Sequence, residues 1–291
     1  MSVQTQIDRL NKAKSDLKTS IANKGVVVSD DALISDYPAL VDSIQTGGGG
    51  NVFDASLGGK LAYSTFSTLP YNIINTSQVT DMSSMFNYCK RLTSLDLSGF
   101  ETSNVTDMSS MFDNCNALTS LDVSSFNTSN VINMASMFGN CKALTSLDLS
   151  NFDTSKVNNM SNMFYYCNRL TSLDLSSFNT SNVIYMGGMF QSCWGLTSLD
   201  LSGFETSKVT NMNSMFRSCY GLTSLDLSNF NTSKVTYMEY MFNNCSSLTT
   251  VKVINCNDST KHKILTQLQT DITSKTWTLG DDGIITGVAN S

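Results

Sequence analysis

The sequence predicts an α/β repeat fold. Its expected form is a solenoid with a parallel β-sheet of about eight rungs and short helical return arms, behind a small helical N-terminal module. Three observations predict it. Cysteines fall at Cys89, Cys115, Cys141, Cys167, Cys193, Cys219 and Cys245, a 26-residue period that never slips. A valine heads each unit with the same period, from Val79 to Val235. Within each unit leucines alternate with polar residues, as in Leu95-Asp96-Leu97, the period-two pattern of a strand with one buried face. A fixed period of this length marks units that bury their apolar side chains only by stacking on neighbours.

In chain order, residues 1–46 read as a helical attachment or oligomerisation module. Val3, Ile7, Leu10, Leu17 and Ile21 follow helical spacing with Gly25 as a stop, and a second short helix carries Pro38 in its first turn with Leu40, Val41 and Ile44 on one face. A helix of three heptads is marginal alone, so the module implies a partner or a homo-oligomer. Residues 47–52 read as a glycine linker. Residues 53–78 form an N-terminal cap and degenerate first rung, because counting back 26 from Leu92, Leu95, Leu97 and Phe100 gives Phe66, Leu69, Tyr71 and Ile74. Pro70 replaces the outward aspartate there, as suits an edge that must not pair further. Residues 79–256 hold the repeats, ending on a modified rung with Lys252 and Cys256. Residues 257–291 form a closing cap: a helix with Ile264, Leu265, Leu268 and Ile272 on one side, then a hairpin turning at Gly280–Gly283.

Inside a unit, Leu92-x-x-Leu95-x-Leu97-x-x-Phe100 carries the leucine-rich-repeat pattern. The other arm, Val105-x-x-Met108-x-x-Met111-Phe112-x-x-Cys115, has the spacing of a turn or two of helix packed behind the sheet. The cysteines read as a ladder of buried free thiols acting as small apolar residues, and the methionines as core filler. Without a Cys-x-x-Cys pair there is no zinc-site spacing, while disulfides between adjacent rungs stay open as an alternative.

These residues carry two resemblances. The unit Val-x-x-Met-x-x-Met-Phe-x-x-Cys-x-x-Leu-Thr-Ser-Leu-Asp-Leu-Ser-x-Phe-x-Thr-Ser, over residues 66–256, resembles the BspA-like leucine-rich repeats of bacterial surface proteins. That resemblance implies an adhesin, with no catalytic residues to carry over. The leader, with Ile7-Asp-Arg-Leu-Asn, Ile21-Ala-Asn-Lys-Gly-Val and Tyr37-Pro-Ala-Leu-Val-Asp-Ser-Ile, resembles that of bacteriophage tail-fibre and tail-tip proteins. It implies attachment to other tail proteins through residues 1–46.

Composition narrows the function classes. A net charge of -6 argues against a nucleic-acid partner, and no apolar run approaches the length of a membrane span. The start Met1-Ser-Val-Gln-Thr-Gln-Ile-Asp-Arg lacks a signal-peptide core, so the expectation is a virion protein made in the host cytoplasm. Catalysis finds no motif, and the single histidine, His262, falls in the cap helix. The outward column Asp96, Asp122, Asp148, Asp174, Asp200 and Asp226 stacks carboxylates ~5 Å apart. Flanking hydroxyls or backbone N–H groups could offset their repulsion, and weak calcium binding is the second expectation. Recognition points to the slots where the repeat varies. Exposed Tyr, Trp and Arg suit binding hot spots, and the candidates are Tyr88, Arg91, Tyr166, Arg169, Trp194, Arg217, Tyr220 and Tyr237, with Tyr165, Tyr185 and Tyr240 beside them. The expected function is a non-enzymatic phage tail adhesin that binds a host cell-surface protein or glycan through its repeats. The alternatives are a bacterial cell-surface adhesin and a purely structural virion subunit.

Overall fold

The computed structural model describes residues 45–46, 50–54, 61–62, 64, 67–68, 71–74 and 76–290. The leader helices expected within 1–46 lie outside the described residues, apart from Gln45–Thr46. That pair forms β1, which runs antiparallel to β2 (Gly50–Asp54), and β2 runs parallel to β3 (Tyr71–Ile74). The segment read as a glycine linker therefore ends in strand. Near the C-terminus a four-stranded sheet has the order β4-β5-β7-β6, from β4 (Ser224–Asp226), β5 (Thr250–Lys252), β6 (Lys275–Leu279) and β7 (Ile284–Ala289). Between the two sheets the 26-residue units stack. Single parallel bridges join equivalent residues from Asp81 to Asp107, Asn133, Asn159, Tyr185, Asn211 and Tyr237.

The expected burial pattern holds. Val105, Met108, Met111, Phe112, Cys115 and Leu118 are fully buried, as are their counterparts through the middle of the stack. Phe86, Phe112, Phe138, Phe164, Phe190, Phe216 and Phe242 form one column, each ring 5.5–6.0 Å from the next and nearly parallel to it. Each buried ring contributes about 1.5–3 kcal/mol by leaving water, and only a neighbouring unit can cover it.

The return arm is not helical. From Met108 to Cys115 the backbone alternates two kinds of bond. Met111 and Cys115 N–H groups donate within the unit to Met108 O and Phe112 O, three residues back. Met108, Ser110, Phe112 and Asn114 donate to Asn133, Ala135, Met137 and Gly139 of the next unit. A helix would consume those N–H groups inside its own arm; here they hold the stack together. Ser110 and Asn114 take left-handed φ values of 55° and 64°, and equivalent residues in the other units do the same. Polar side chains suit this conformation.

The leucine arm is correspondingly weaker as a sheet. Leu121 and Val123 are buried and Asp122 is exposed, as alternation predicts. Among the described residues, though, strand pairing between this arm in successive full units is confined to β4 with β5. In each unit the aspartate Oδ1 accepts the N–H of the serine two residues on, as Asp122 does from Ser124 at 2.9 Å, and this turn cuts the extended run short.

The chain ends in a helix followed by a hairpin. α1 (Asp258–Asp271) is N-capped by Asn257, whose side chain accepts the Thr260 N–H at 2.8 Å, and β6 pairs antiparallel with β7 as a hairpin. Among the described residues no helix is long and apolar enough to cross a membrane.

Candidate recognition surface

The surface is set by two columns that flank each cysteine. The residue before it sits in the left-handed region, as in Tyr88, Asn114, Asn140 and Tyr166. The residue after it begins the turn towards the leucine arm. The second column lies beside the first, with Trp194 and Tyr220 exposed and Tyr166 half-buried. Tyr166 from one column and Trp194 and Tyr220 from the other therefore meet, although their repeat positions differ. Ring centroids are 6.0 Å apart for Tyr166–Trp194 and 6.1 Å for Trp194–Tyr220, while Tyr165 packs edge-on to Tyr166 at 4.7 Å. Trp194 and Tyr220 are each 43% exposed. Lys142, in the same column as Trp194 and Tyr220, extends the row by lying over the Tyr166 ring at 5.6 Å. Composition could not single it out, but its column could.

The other candidates do not join this row. Arg217 lies over Tyr240, 5.4 Å from the ring centre. Tyr237, 58% exposed, stands with Tyr185 on the bridge column. Tyr88 packs with Lys90 at the start of the stack, Arg91 is exposed nearby, and Arg169 is exposed beyond the unit's cysteine. The candidates thus divide among several patches, of which the Tyr166–Trp194–Tyr220 row is the continuous one.

Beside the row runs a polar groove of ≈ 450 Å³, lined among others by Tyr88, Asp113, Asn140, Asn162, Tyr165 and Gln191. Sequence reasoning missed it. Burial raises the Asp113 carboxyl above its ordinary range, while Asn140 Nδ2 donates to its Oδ1 at 3.1 Å.

The aspartate column lies on the leucine face. Ser98 donates both its N–H and its hydroxyl to Asp96 Oδ1, and Asp122, Asp148, Asp174, Asp200 and Asp226 each accept the equivalent serine N–H. These bonds hold the Asp96, Asp122, Asp148, Asp174 and Asp200 carboxyls below the usual carboxylate range. Asp226 also faces Lys252 Nζ at 3.8 Å. Among the described residues, no three His, Cys, Asp or Glu side chains converge as metal ligands. His262 is exposed on α1.

The cysteines are all free and buried. Each also makes a bond that the core reading did not contain: Cys115, Cys141, Cys167, Cys193, Cys219 and Cys245 Sγ lie 2.9–3.3 Å from the phenylalanine carbonyl of the preceding unit. Burial pushes the Cys141, Cys167, Cys193 and Cys219 thiols well up, which keeps them protonated as donors.

The family model described as "Mycoplasma protein of unknown function, DUF285" matches residues 62–172 and again 144–255, together the whole repeat stack. The chain belongs to the DUF285 family. The resemblance to BspA-like repeats accords with that membership, and no comparison supports the phage-tail leader expected at residues 1–46. A similar solved structure is the functional domain of InlJ from Listeria monocytogenes, described as including a cysteine ladder. It is 15% identical, with a TM-score of 0.21, over 66% of this chain and 54% of that one, so this DUF285 chain spans about half of it and the likeness carries no argument. No curated protein matches.

Proposed function

We propose that this DUF285 chain is a surface-displayed recognition protein of the BspA-like kind, a non-enzymatic adhesin whose stack presents side chains to a cell-surface partner. On this reading the stack is a leucine-rich-repeat solenoid of about eight rungs, and its regular letters build the scaffold. The observation that carries the proposal is the Tyr166–Trp194–Tyr220 row. It places three large rings side by side, Tyr166 in a slot where adjoining units carry Asn140 and Ser192, and Trp194 and Tyr220 in one where other units carry Asn116, Asn168 or Ser246. Stacking requires none of them, and clustered exposed aromatics are the side chains enriched at binding hot spots. Family membership favours this reading over a tail-fibre protein, for which no comparison gives support.

The stack itself supplies replacements compatible with the fold. Trp194→Asn copies Asn168 and Tyr220→Asn copies Asn116, each from the same column. The full chain should adhere to intact cells, and the double variant should lose most of that adhesion while keeping its melting temperature. Unchanged adhesion would remove the row from the function; failure of the parent chain to adhere to any cell type would remove the adhesin reading.

A further inference from the structure

We infer that the polar groove beside the aromatic row binds a neutral oligosaccharide laid along the stack. This rests on the adhesin reading and names the chemistry of the partner. The groove spans consecutive units, from Tyr88 in the first to Gln191 in the fifth. One column lacks a side chain here: Gly139 stands between Asp113 and Tyr165, and a Cβ there would lie 2.8 Å from Asp113 Oδ1.

The lining selects the ligand class. Asn140, Asn162 and Gln191 bring amides that donate and accept at once, as do sugar hydroxyls, and Asp113 adds an acceptor. Tyr165 supplies a ring on which a sugar can stack. No lysine or arginine is among the lining residues, so an anionic ligand finds no counter-charge, and none of them is aliphatic, so the groove offers no apolar anchor for a peptide side chain. Units repeat every ~5 Å, so equivalent amides recur along the groove as hydroxyls recur along a glycan. Tyr165 touches Tyr166 at 4.7 Å, which joins the groove to the row and gives one continuous surface.

The test uses the full chain and a printed array of neutral mannose, galactose, glucose and N-acetylhexosamine chains, together with adhesion to cells before and after periodate oxidation. The groove variant is Asn140→Ser with Gln191→Asn. Both come from the same columns: Ser192 and Ser218 hold the first position with φ of 61° and 59°, and Asn87 and Asn243 hold the second. The expected result is binding to a subset of neutral glycans, loss of about ten-fold in affinity for each hydrogen-bonding partner removed, and adhesion abolished by periodate. Adhesion that survives periodate but needs Trp194 would overturn the glycan assignment and leave the adhesin reading standing. Array binding unchanged in the groove variant would move any glycan site elsewhere. A parent chain that neither adheres nor binds the array overturns both.

Discussion

Asp271 Oδ2 accepts the Phe242 N–H at 2.8 Å, in the place where every earlier unit offers a backbone carbonyl. Phe216 N–H, one unit back, donates to Met241 O, and Phe190 N–H to Met215 O. The last unit has no successor, so the end of α1 imitates one. Lys275 Nζ does the converse, donating to Ser246 O and Leu248 O at 2.7 and 2.6 Å. The Thr260 hydroxyl accepts the Thr232 N–H at 3.2 Å. A stack of identical units exposes a row of unpaired backbone groups at its end, and these side chains close it.

Removing that closure should be felt at once. Asp271→Ala leaves the buried Phe242 N–H without an acceptor and should cost about 1–3 kcal/mol in urea denaturation, whereas Asp271→Asn keeps an acceptor oxygen and should cost much less. Equal losses for the two variants would show that the bond to Phe242 is not what matters.

A second closure runs through the whole stack. Thr76, Thr102, Thr128, Thr154, Thr180, Thr206 and Thr232 are all buried. Thr154 Oγ1 accepts the Asn179 N–H at 2.8 Å and donates to Asn179 O at 3.0 Å, so one hydroxyl satisfies two backbone groups of the next unit. Thr154→Val keeps the shape and deletes the bonds. It should destabilise by about 2 kcal/mol or more, and Thr154→Ser by clearly less. Comparable losses for Val and Ser would mean that the methyl group, not the hydroxyl, holds the unit.

What the sequence made legible was burial. A 26-residue register with apolar residues at fixed slots identifies the core columns, and the cap hairpin announces itself through Gly280–Gly283. Backbone path was less legible. Turns closed by bonds to the third residue back bury Met108, Met111 and Cys115 much as a helix would, so period alone could not separate the two. Thr102-Ser103 reads as a loop, and nothing local says that the hydroxyl bridges to Asn127. The aromatic row was half legible. Tyr166 and Trp194 could be picked as residues in varying slots, but only Trp194 is exposed, the two occupy different slots, and Tyr166 carries a left-handed φ of 56° where they meet.

Two kinds of carboxylate should respond oppositely to pH. Asp148 is exposed and held low by the Ser150 N–H and hydroxyl; its contribution is present above the unfolded carboxylate value of about 4 and is lost as pH falls through its lower folded value. Asp113 is raised by burial, so the folded state holds its proton more tightly than the unfolded chain does. Its sign is reversed: stability relative to the neutral form is complete below the unfolded value and is lost as pH rises through the folded one. Asp113→Asn removes that loss while keeping an oxygen for Asn140, and the column already carries Asn87 and Asn243. The variant should therefore melt higher than the parent at pH 7, with the gap closing as pH is lowered towards about 4. A gap that stays constant across that window would mean the gain is one of packing; a variant that melts lower at pH 7 would mean that the Asp113 charge stabilises the groove instead of burdening it.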